Sequence, residues 1–163
     1  MHGLIVTVEK RILPHLPSFI EFIVCALQME NCDAMGTRLA CGLISDLANA
    51  VEANLAQWMP QIVNSLLRIL EDDAFDSEAK LIAIIAFGDI CLAAGPRDFL
   101  QYLPQTQKSF ARACQLSLSA GDCPEEVDLL ERLRIALIEA SISLLHGLQA
   151  ESDAAKLKDA KEV

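Results

Sequence analysis

Apolar and polar positions along the chain follow the period of an α-helix, and the helical segments come in pairs. Residues 17–29 carry an apolar stripe at helical spacing, whereas residues 37–51 are apolar almost all round. A helix with one apolar stripe lies at a surface, and a helix that is apolar on every side must be covered by several neighbours. The first pair therefore predicts an amphipathic helix followed by a buried one.

The same two-helix pattern recurs about every 43 residues. Pro17, Pro60 and Pro104 each open an apolar helical segment and lie 43 and 44 residues apart. Ser45 and Gly88 lie in the second segment of their pairs, are 43 residues apart, and are each followed by an aspartate. Proline suits the first helical turn, where its missing N–H would have no partner. Two features with one period indicate a repeat protein.

The repeat predicts an all-α fold, an α-solenoid of HEAT or armadillo type with six main helices, in about three stacked helix pairs, and no β-sheet. Residues 1–148 form the solenoid segment, and the predicted units are 11–54, 55–97 and 98–148. Gly95 is placed to end the second helix of unit two, and the last helix is predicted over residues 125–148. Residues 149–163 are charged and carry little apolar surface, so we predict a flexible tail.

Composition changes this picture little. The apolar fraction is 53% and aromatic residues make up only 5%, so the core must consist of Leu, Ile, Val and Ala. The longest strongly apolar stretch, residues 81–95, contains Asp89 and is too short to span a bilayer. The N-terminal residues lack a basic segment leading into a long apolar core, which argues against a secretion signal. We therefore expect a soluble intracellular protein.

The formal net charge is −10 at pH 7. Nucleic-acid binding needs a basic patch, and anionic membranes attract basic segments, so neither is an expected partner. A basic protein or peptide fits the sign of the charge. Acidity also keeps an apolar chain soluble, which is the simpler explanation of the charge taken alone.

The residue types that carry chemistry are thinly spread. No Cys-x-x-Cys pair and no histidine at zinc-ligand spacing accompany the six cysteines, which are Cys25, Cys32, Cys41, Cys91, Cys114 and Cys123. Cys41, Cys91 and Cys114 sit among Ala, Leu and Ile, where a thiol acts as a small apolar filler. The chain has three scattered histidines and no glycine-rich phosphate loop. We predict no metal site, no cofactor and no enzymatic activity.

Three segments resemble the importin-β family of nuclear import receptors. They are CGLISDLANA at 41–50, IAFGDICLAAG at 85–95 and VDLLERLR at 127–134. The pattern from Lys80 to Gly88 also resembles the second helix of a HEAT repeat. The resemblance covers about residues 13–148, or about three repeats from the C-terminal half of such a receptor. Thr37 and Ser45 depart from the basic residue and the glycine found at the corresponding positions of the next repeat.

The resemblance implies a function in protein transport. Family members cradle the basic importin-β-binding segment of importin-α, or cargo directly. They also bind the GTPase Ran and the phenylalanine–glycine (FG) repeats of nucleoporins. The chain is thus expected to be a protein-binding segment of a nuclear import receptor, present in cytoplasm, nucleus and nuclear pore. A HEAT-repeat scaffold or regulatory subunit unrelated to transport is the first alternative. A helical domain whose clustered carboxylates bind a divalent metal is the second.

Asp46 and Asp89 each lie in the middle of an otherwise apolar helix. A buried, unpaired carboxylate costs several kcal/mol, so each must meet water, a donor or a cation. They could accept hydrogen bonds from the neighbouring unit, or they could form an acidic row that holds Lys and Arg of a ligand. We favour the first interpretation because the aspartates recur in register with the repeat.

Five acidic residues surround the turn within unit two: Glu71, Asp72, Asp73, Asp76 and Glu78. Acidic side chains in a first helical turn stabilise the helix through its dipole, typically by about 0.3–1 kcal/mol each. Five exceed what helix capping needs. Asp72, Asp73 and Asp76 are therefore candidate contacts for a basic partner.

Apolar residues on two neighbouring first helices are candidates for a groove that admits a phenylalanine of an FG nucleoporin. They are Phe19, Phe22, Ile23, Ile62, Leu66 and Leu67. Core packing is the favoured role for most of them, since apolar stripes at helical spacing are normally buried.

Neither end of the predicted solenoid carries a polar capping repeat. The apolar end residues are 4–6, Ile12 and Leu13 in unit one, and Ile138, Ile142, Leu144 and Leu145 in unit three. Natural solenoids need polar caps, and exposed apolar faces bind partners. We predict self-association through these ends.

Overall fold

The computed structural model of the protein describes residues 9–28, 33–118 and 123–159, and these residues fold into helices. Six α-helices are longer than ten residues: α1 (Leu16–Gln28), α2 (Ala34–Val51), α3 (Met59–Glu71), α4 (Ser77–Ala94), α5 (Leu103–Ser117) and α6 (Pro124–Asp159). The shorter helical turns are Glu9–His15, Glu52–Trp58, Pro96–Phe99 and Leu100–Tyr102. The described residues contain no β-strand, which confirms the all-α prediction.

The six helices form three pairs that stack in chain order. Unit one is α1 with α2, unit two is α3 with α4, and unit three is α5 with α6. The second helices α2, α4 and α6 pack side by side and make the most extensive contacts in the molecule, while α1, α3 and α5 form a second layer. This arrangement confirms an α-solenoid of three helix pairs.

The helix ends are set by residues that recur with the repeat. The side chains of Asp33 and Asp76 cap α2 and α4 by accepting hydrogen bonds from the amides of Gly36 and Ala79, each at 2.6 Å. Such caps satisfy amides that have no partner within the helix. Gly95 ends α4 with a φ of 82°, a conformation that favours glycine, which confirms its predicted role.

Two predicted boundaries differ from the structure. Helix α2 begins at Ala34 rather than at residue 37, because Asp33 supplies the cap. Helix α6 continues to Asp159, beyond the predicted end at residue 148. The flexibility of residues 149–163 and the limits of the units stay predictions.

Helix α4 lies at the centre of the core, and most of its apolar residues are buried on both sides of the stack. Phe87 packs edge-to-face against Phe99 and Phe110, with ring centroids 6.4 and 5.9 Å away. On the side facing α6, a Cβ added at Gly88 would lie 3.2 Å from Cα of Ala140, so the two helices approach closely there. The all-round apolar pattern of the second helix thus reflects its burial between units.

The cysteines divide into buried and exposed groups. Cys41 and Cys91 are buried, and burial raises the pKa of the Cys91 thiol to about 11, so that it packs as a neutral side chain. Cys114 is exposed, which corrects its predicted role as core filler, and Cys25 is exposed too. Cys32 lies outside the described residues. No helix in the described part of the chain is both long and apolar enough to cross a membrane.

Candidate functional site

An open groove of about 600 Å³ lies between α2 and α4. Its lining residues are Arg38, Leu39, Gly42, Leu43, Ser45, Asp46, Ile82 and Ile85. Leu39 and Ile85 are 58% and 41% exposed, which is unusual for large aliphatic side chains. The groove therefore offers an apolar surface with charged side chains at its border.

The repeat explains why the groove is open. Gly42 occupies in unit one the position that Ile85 occupies in unit two. Apart from its chain neighbours and the backbone of its own helix, no atom of the described residues lies within 4 Å of the place that a Cβ of Gly42 would take. Because glycine leaves this space empty, the side chain of Ile85 borders a groove rather than a filled interface.

The two mid-helix aspartates have different surroundings. Asp89 is half-buried and accepts a hydrogen bond from the hydroxyl of Ser45, across the interface between units one and two. Ser45 is the residue that departs from the glycine of the repeat pattern, and its hydroxyl makes this contact. The bond supports the interpretation that Asp89 fixes repeat stacking. Asp46 is 9% exposed and lies on the wall of the groove.

Asp76 has two structural roles in the acidic turn. Besides capping α4, it accepts a hydrogen bond from Arg38 Nη2 at 2.7 Å, which links unit two to unit one. Partial burial opposes ionisation of Asp76, but the hydrogen bonds from Arg38 and from the amide of Ala79 outweigh it, so its pKa lies below the ordinary value. Asp72 accepts a hydrogen bond from the amide of Ala74 at 2.9 Å, within the turn itself.

The same turn also holds the first helix of unit three. Arg112 on α5 contacts Asp73 at 3.0 Å and donates to the carbonyl oxygen of Glu71 at 3.2 Å. Lys80 Nζ lies 3.5 Å from Asp73, and Ser109 donates to the carboxylate of Glu71 at 3.1 Å. The acidic turn is therefore a contact site for α5.

Glu78 completes a cluster of ion pairs that spans all three units. Its carboxylate lies 3.1 Å from Arg38 of unit one and 2.9 Å from Arg132 of unit three. We call Arg38, Asp76, Glu78 and Arg132 the inter-unit ion-pair cluster. The basic partners of the acidic turn thus include the protein's own arginines.

Sequence reasoning missed these arginines, although their spacing carries a signal. Arg38 and Asp76 are 38 residues apart, and Arg112 and Asp73 are 39 residues apart. Both separations are slightly shorter than one repeat. Opposite charges at such a separation indicate contacts between adjacent units.

The six candidates for an FG groove fall into two groups. Ile23, Ile62, Leu66 and Leu67 are at most 2% exposed and form part of the core. They are therefore not available at the surface. Phe19 and Phe22, on α1, are 39% and 68% exposed and remain the accessible part of the candidate site.

The predicted apolar ends also differ from each other. Ile138, Ile142 and Leu145 on α6 are exposed. Leu144 is buried, so the prediction that it belongs to the exposed end was wrong. In unit one Ile12 is buried as well, and residues 4–6 lie outside the described residues. In the described part of the chain, the exposed apolar end residues that we predicted are thus on α6.

A metal site was the second alternative to protein binding. Among residues 9–28, 33–118 and 123–159, no group of three or more His, Cys, Asp or Glu side chains is placed to hold a metal ion. The carboxylates of the acidic turn instead contact amides, arginines and a lysine.

Comparisons with known proteins agree on one family. The family model of importin subunit beta-1-like TPR repeats matches residues 2–161. The chain is 25% identical over 146 residues to importin subunit beta-1 of Schizosaccharomyces pombe, a match that covers 90% of this chain and 17% of that protein. It is 27% identical over 136 residues to importin subunit beta-1 of Arabidopsis thaliana, covering 83% of this chain and 15% of the relative.

A solved structure supports the fold. A crystal structure of importin beta in an ammonium sulfate condition matches with a TM-score of 0.81 and 21% identity, over 99% of this chain and 18% of that one. The chain spans less than a fifth of the length of these relatives.

Proposed function

Because the chain belongs to the family of importin subunit beta-1-like TPR repeats, we propose that it binds a basic protein segment as part of nuclear import. The chain is a repeat segment of the nuclear transport receptor type, and receptors of this type act by binding proteins. The ligand we propose is a Lys/Arg-rich segment of the importin-α type or of a cargo protein. We propose no catalytic activity and no cofactor.

The α2–α4 groove is the observation that supports this proposal. It exposes Leu39 and Ile85 for the apolar face of a helix and places Asp46 on its wall. An amphipathic helix that carries both aliphatic and basic side chains fits such a surface. The net charge of −10 attracts this ligand over a longer range. The proposed sites of action are the cytoplasm, the nucleus and the nuclear pore.

We propose a second contact, in which FG nucleoporins bind the layer formed by the first helices. Phe22 is 68% exposed and Phe19 39% exposed on α1, so both can take part in aromatic contacts with a phenylalanine side chain. Binding of Ran is implied by the family resemblance alone. We therefore rank the basic segment first, FG repeats second and Ran third.

Titration calorimetry at low salt with a Lys/Arg-rich importin-α segment tests the first proposal. We expect weak binding, because the chain offers only a small part of the surface of its relatives. Leu39→Ser and Asp46→Asn should each weaken binding roughly tenfold, in the range of a useful interface contact. Leu92→Ser is the matched control, because Leu92 is 53% exposed on α4 but does not line the groove.

The carboxylates Asp72, Asp73 and Asp76 are unsuitable for this test. Asp73 and Asp76 hold adjacent units together, so their replacement changes stability as well as charge. Absence of binding heat, or equal affinity of the wild type and both groove variants, would contradict the proposal. Absence of heat would favour the alternative of a scaffold unrelated to transport, whereas equal affinities would mean that the segment binds outside the α2–α4 groove.

A further inference from the structure

The position on each second helix that faces the next unit can be followed through the repeat. Ser45 on α2 faces Asp89, and Gly88 on α4 faces Ala140. Aligning the buried positions of α4 and α6 places Ile138 where α4 has Gly88. In units one and two this position lies within the interface with the following unit. In unit three, Ile138 is 60% exposed.

Ile138 belongs to a larger apolar end face between α5 and α6. A groove of about 520 Å³ is lined there by Phe110, Cys114, Leu118, Ile138, Ile142 and Leu145, among others. Leu118 is 72% and Leu145 63% exposed. Exposed aliphatic side chains that border one groove are typical of an interaction surface.

The charge of this end face differs from that of the whole molecule. No carboxylate is among the described residues that line the groove, although the chain has a net charge of −10. Among the described residues of the lining, the charged one is Arg134, whose guanidinium donates to the carbonyl oxygen of Ser117 at 2.9 Å. A second acidic molecule therefore meets little like charge at this surface.

We infer that the α5–α6 end face binds the same face of a second copy of this chain. The face carries both projecting side chains, such as Ile138 and Leu145, and a groove, so it can be complementary to itself about a two-fold axis. It continues the interface by which each unit packs on the next. A same-face contact about a two-fold axis closes at a dimer, whereas a head-to-tail contact would continue into longer assemblies.

Sedimentation equilibrium over a roughly hundredfold concentration range tests this inference, because a dimer forms by mass action. The wild type should change from the 17.8 kDa monomer to a dimer of twice that mass. Ile138→Glu should weaken dimerisation by at least about tenfold, since it places a charge in an apolar interface core. Leu145→Glu should act in the same direction.

Leu92→Glu is the matched control, because it places the same charge at an exposed leucine of α4 that is not part of the end face. It should dimerise like the wild type, and circular dichroism should show equal helicity for all variants. A wild type that stays monomeric would overturn the inference and leave the end face to a different protein. Dimerisation that is unchanged by Ile138→Glu would overturn it too. Neither result bears on the α2–α4 groove, which lies elsewhere on the molecule.

Discussion

At the residue scale, stacking of the second helices depends on small side chains at one position of the repeat. Ser45 is short enough to let its hydroxyl reach Asp89, and Gly88 lets α6 approach α4. A Cβ at Gly88 would be 3.2 Å from Cα of Ala140 and 3.5 Å from its Cβ. Because backbone atoms on α6 cannot move independently of their helix, a larger residue here must displace the helix.

Gly42 and Gly88 should respond to substitution in opposite ways. Gly88→Val should lower the free energy of unfolding by about 1–3 kcal/mol, as expected for overpacking. Gly42→Ala should raise it by roughly 0.5–1 kcal/mol, because alanine favours a helix and the space beside Gly42 is open. Urea unfolding followed by circular dichroism measures both. A stabilising Gly88→Val would contradict the close approach of α4 and α6.

Asp76 should make stability depend on pH. Its folded-state pKa lies below the ordinary value of 3.8, so its stabilising contribution is present above pH 3.8 and is lost as the pH falls through the folded pKa. Asp76→Asn keeps a residue that caps helices but removes the charge next to Arg38. The wild type should therefore lose more stability than Asp76→Asn on acidification below pH 3.8. Chemical denaturation at each pH measures the free energy of unfolding of both proteins. Equal losses of this free energy on acidification would rule out this role of Asp76.

At the element scale, the hydrophobic pattern predicted the helices well because it reports burial directly. Helix α4 is apolar on every side and is covered by other helices over most of its surface, with Ile85 and Leu92 as exposed exceptions. The end of α6 was predicted less well. Residues 149–159 carry little apolar surface, which predicts a flexible tail. Yet the alanine, glutamate, lysine and leucine of this segment favour a helix even without core contacts.

Contacts between elements were the hardest to predict. Asp73 and Asp76 were recognised as an excess of negative charge, but their partners were assigned to another molecule. Which arginine faces a turn depends on the offset between stacked units, and the repeat period alone does not define that offset. The α2–α4 groove was hard to predict for the same reason, since it depends on Gly42 lying beside Ile85 in the packed units.

The inter-unit ion-pair cluster should couple unit one to unit three. Glu78 is shared by Arg38 and Arg132, so removing one arginine leaves its carboxylate to the other. Each pair is partly exposed, so each arginine alone should contribute little to the stability. The double variant Arg38→Met with Arg132→Met should lose more stability than the two single variants together. In a Glu78→Gln background the two effects should become additive, and a double-mutant cycle measures the difference.

At the scale of the whole molecule, the two candidate grooves differ in chemistry. The α2–α4 groove combines apolar side chains with Asp46, and the α5–α6 end face is apolar and free of lining carboxylates in its described part. The family resemblance indicated the class of ligand, and the apolar pattern indicated exposed ends. Only the packed helices show that the two surfaces are separate.

Salt should therefore change the two proposed associations in opposite directions. Charges are screened beyond about 8 Å at 0.15 M ionic strength, so binding of a Lys/Arg-rich segment should weaken as salt is added. Two copies with a charge of −10 each repel one another, and screening should strengthen an apolar contact between them. Calorimetry and sedimentation in the same salt series measure both affinities.

Two variants should separate these effects. Asp46→Asn should reduce the salt dependence of ligand binding without changing dimerisation, because Asp46 lines only the first surface. Ile138→Glu should weaken the dimer by at least about tenfold at every salt concentration, while ligand affinity keeps its wild-type salt dependence. If added salt weakened both associations in parallel, charged contacts would have to hold the two copies together. The apolar end face would then be the wrong surface for the dimer.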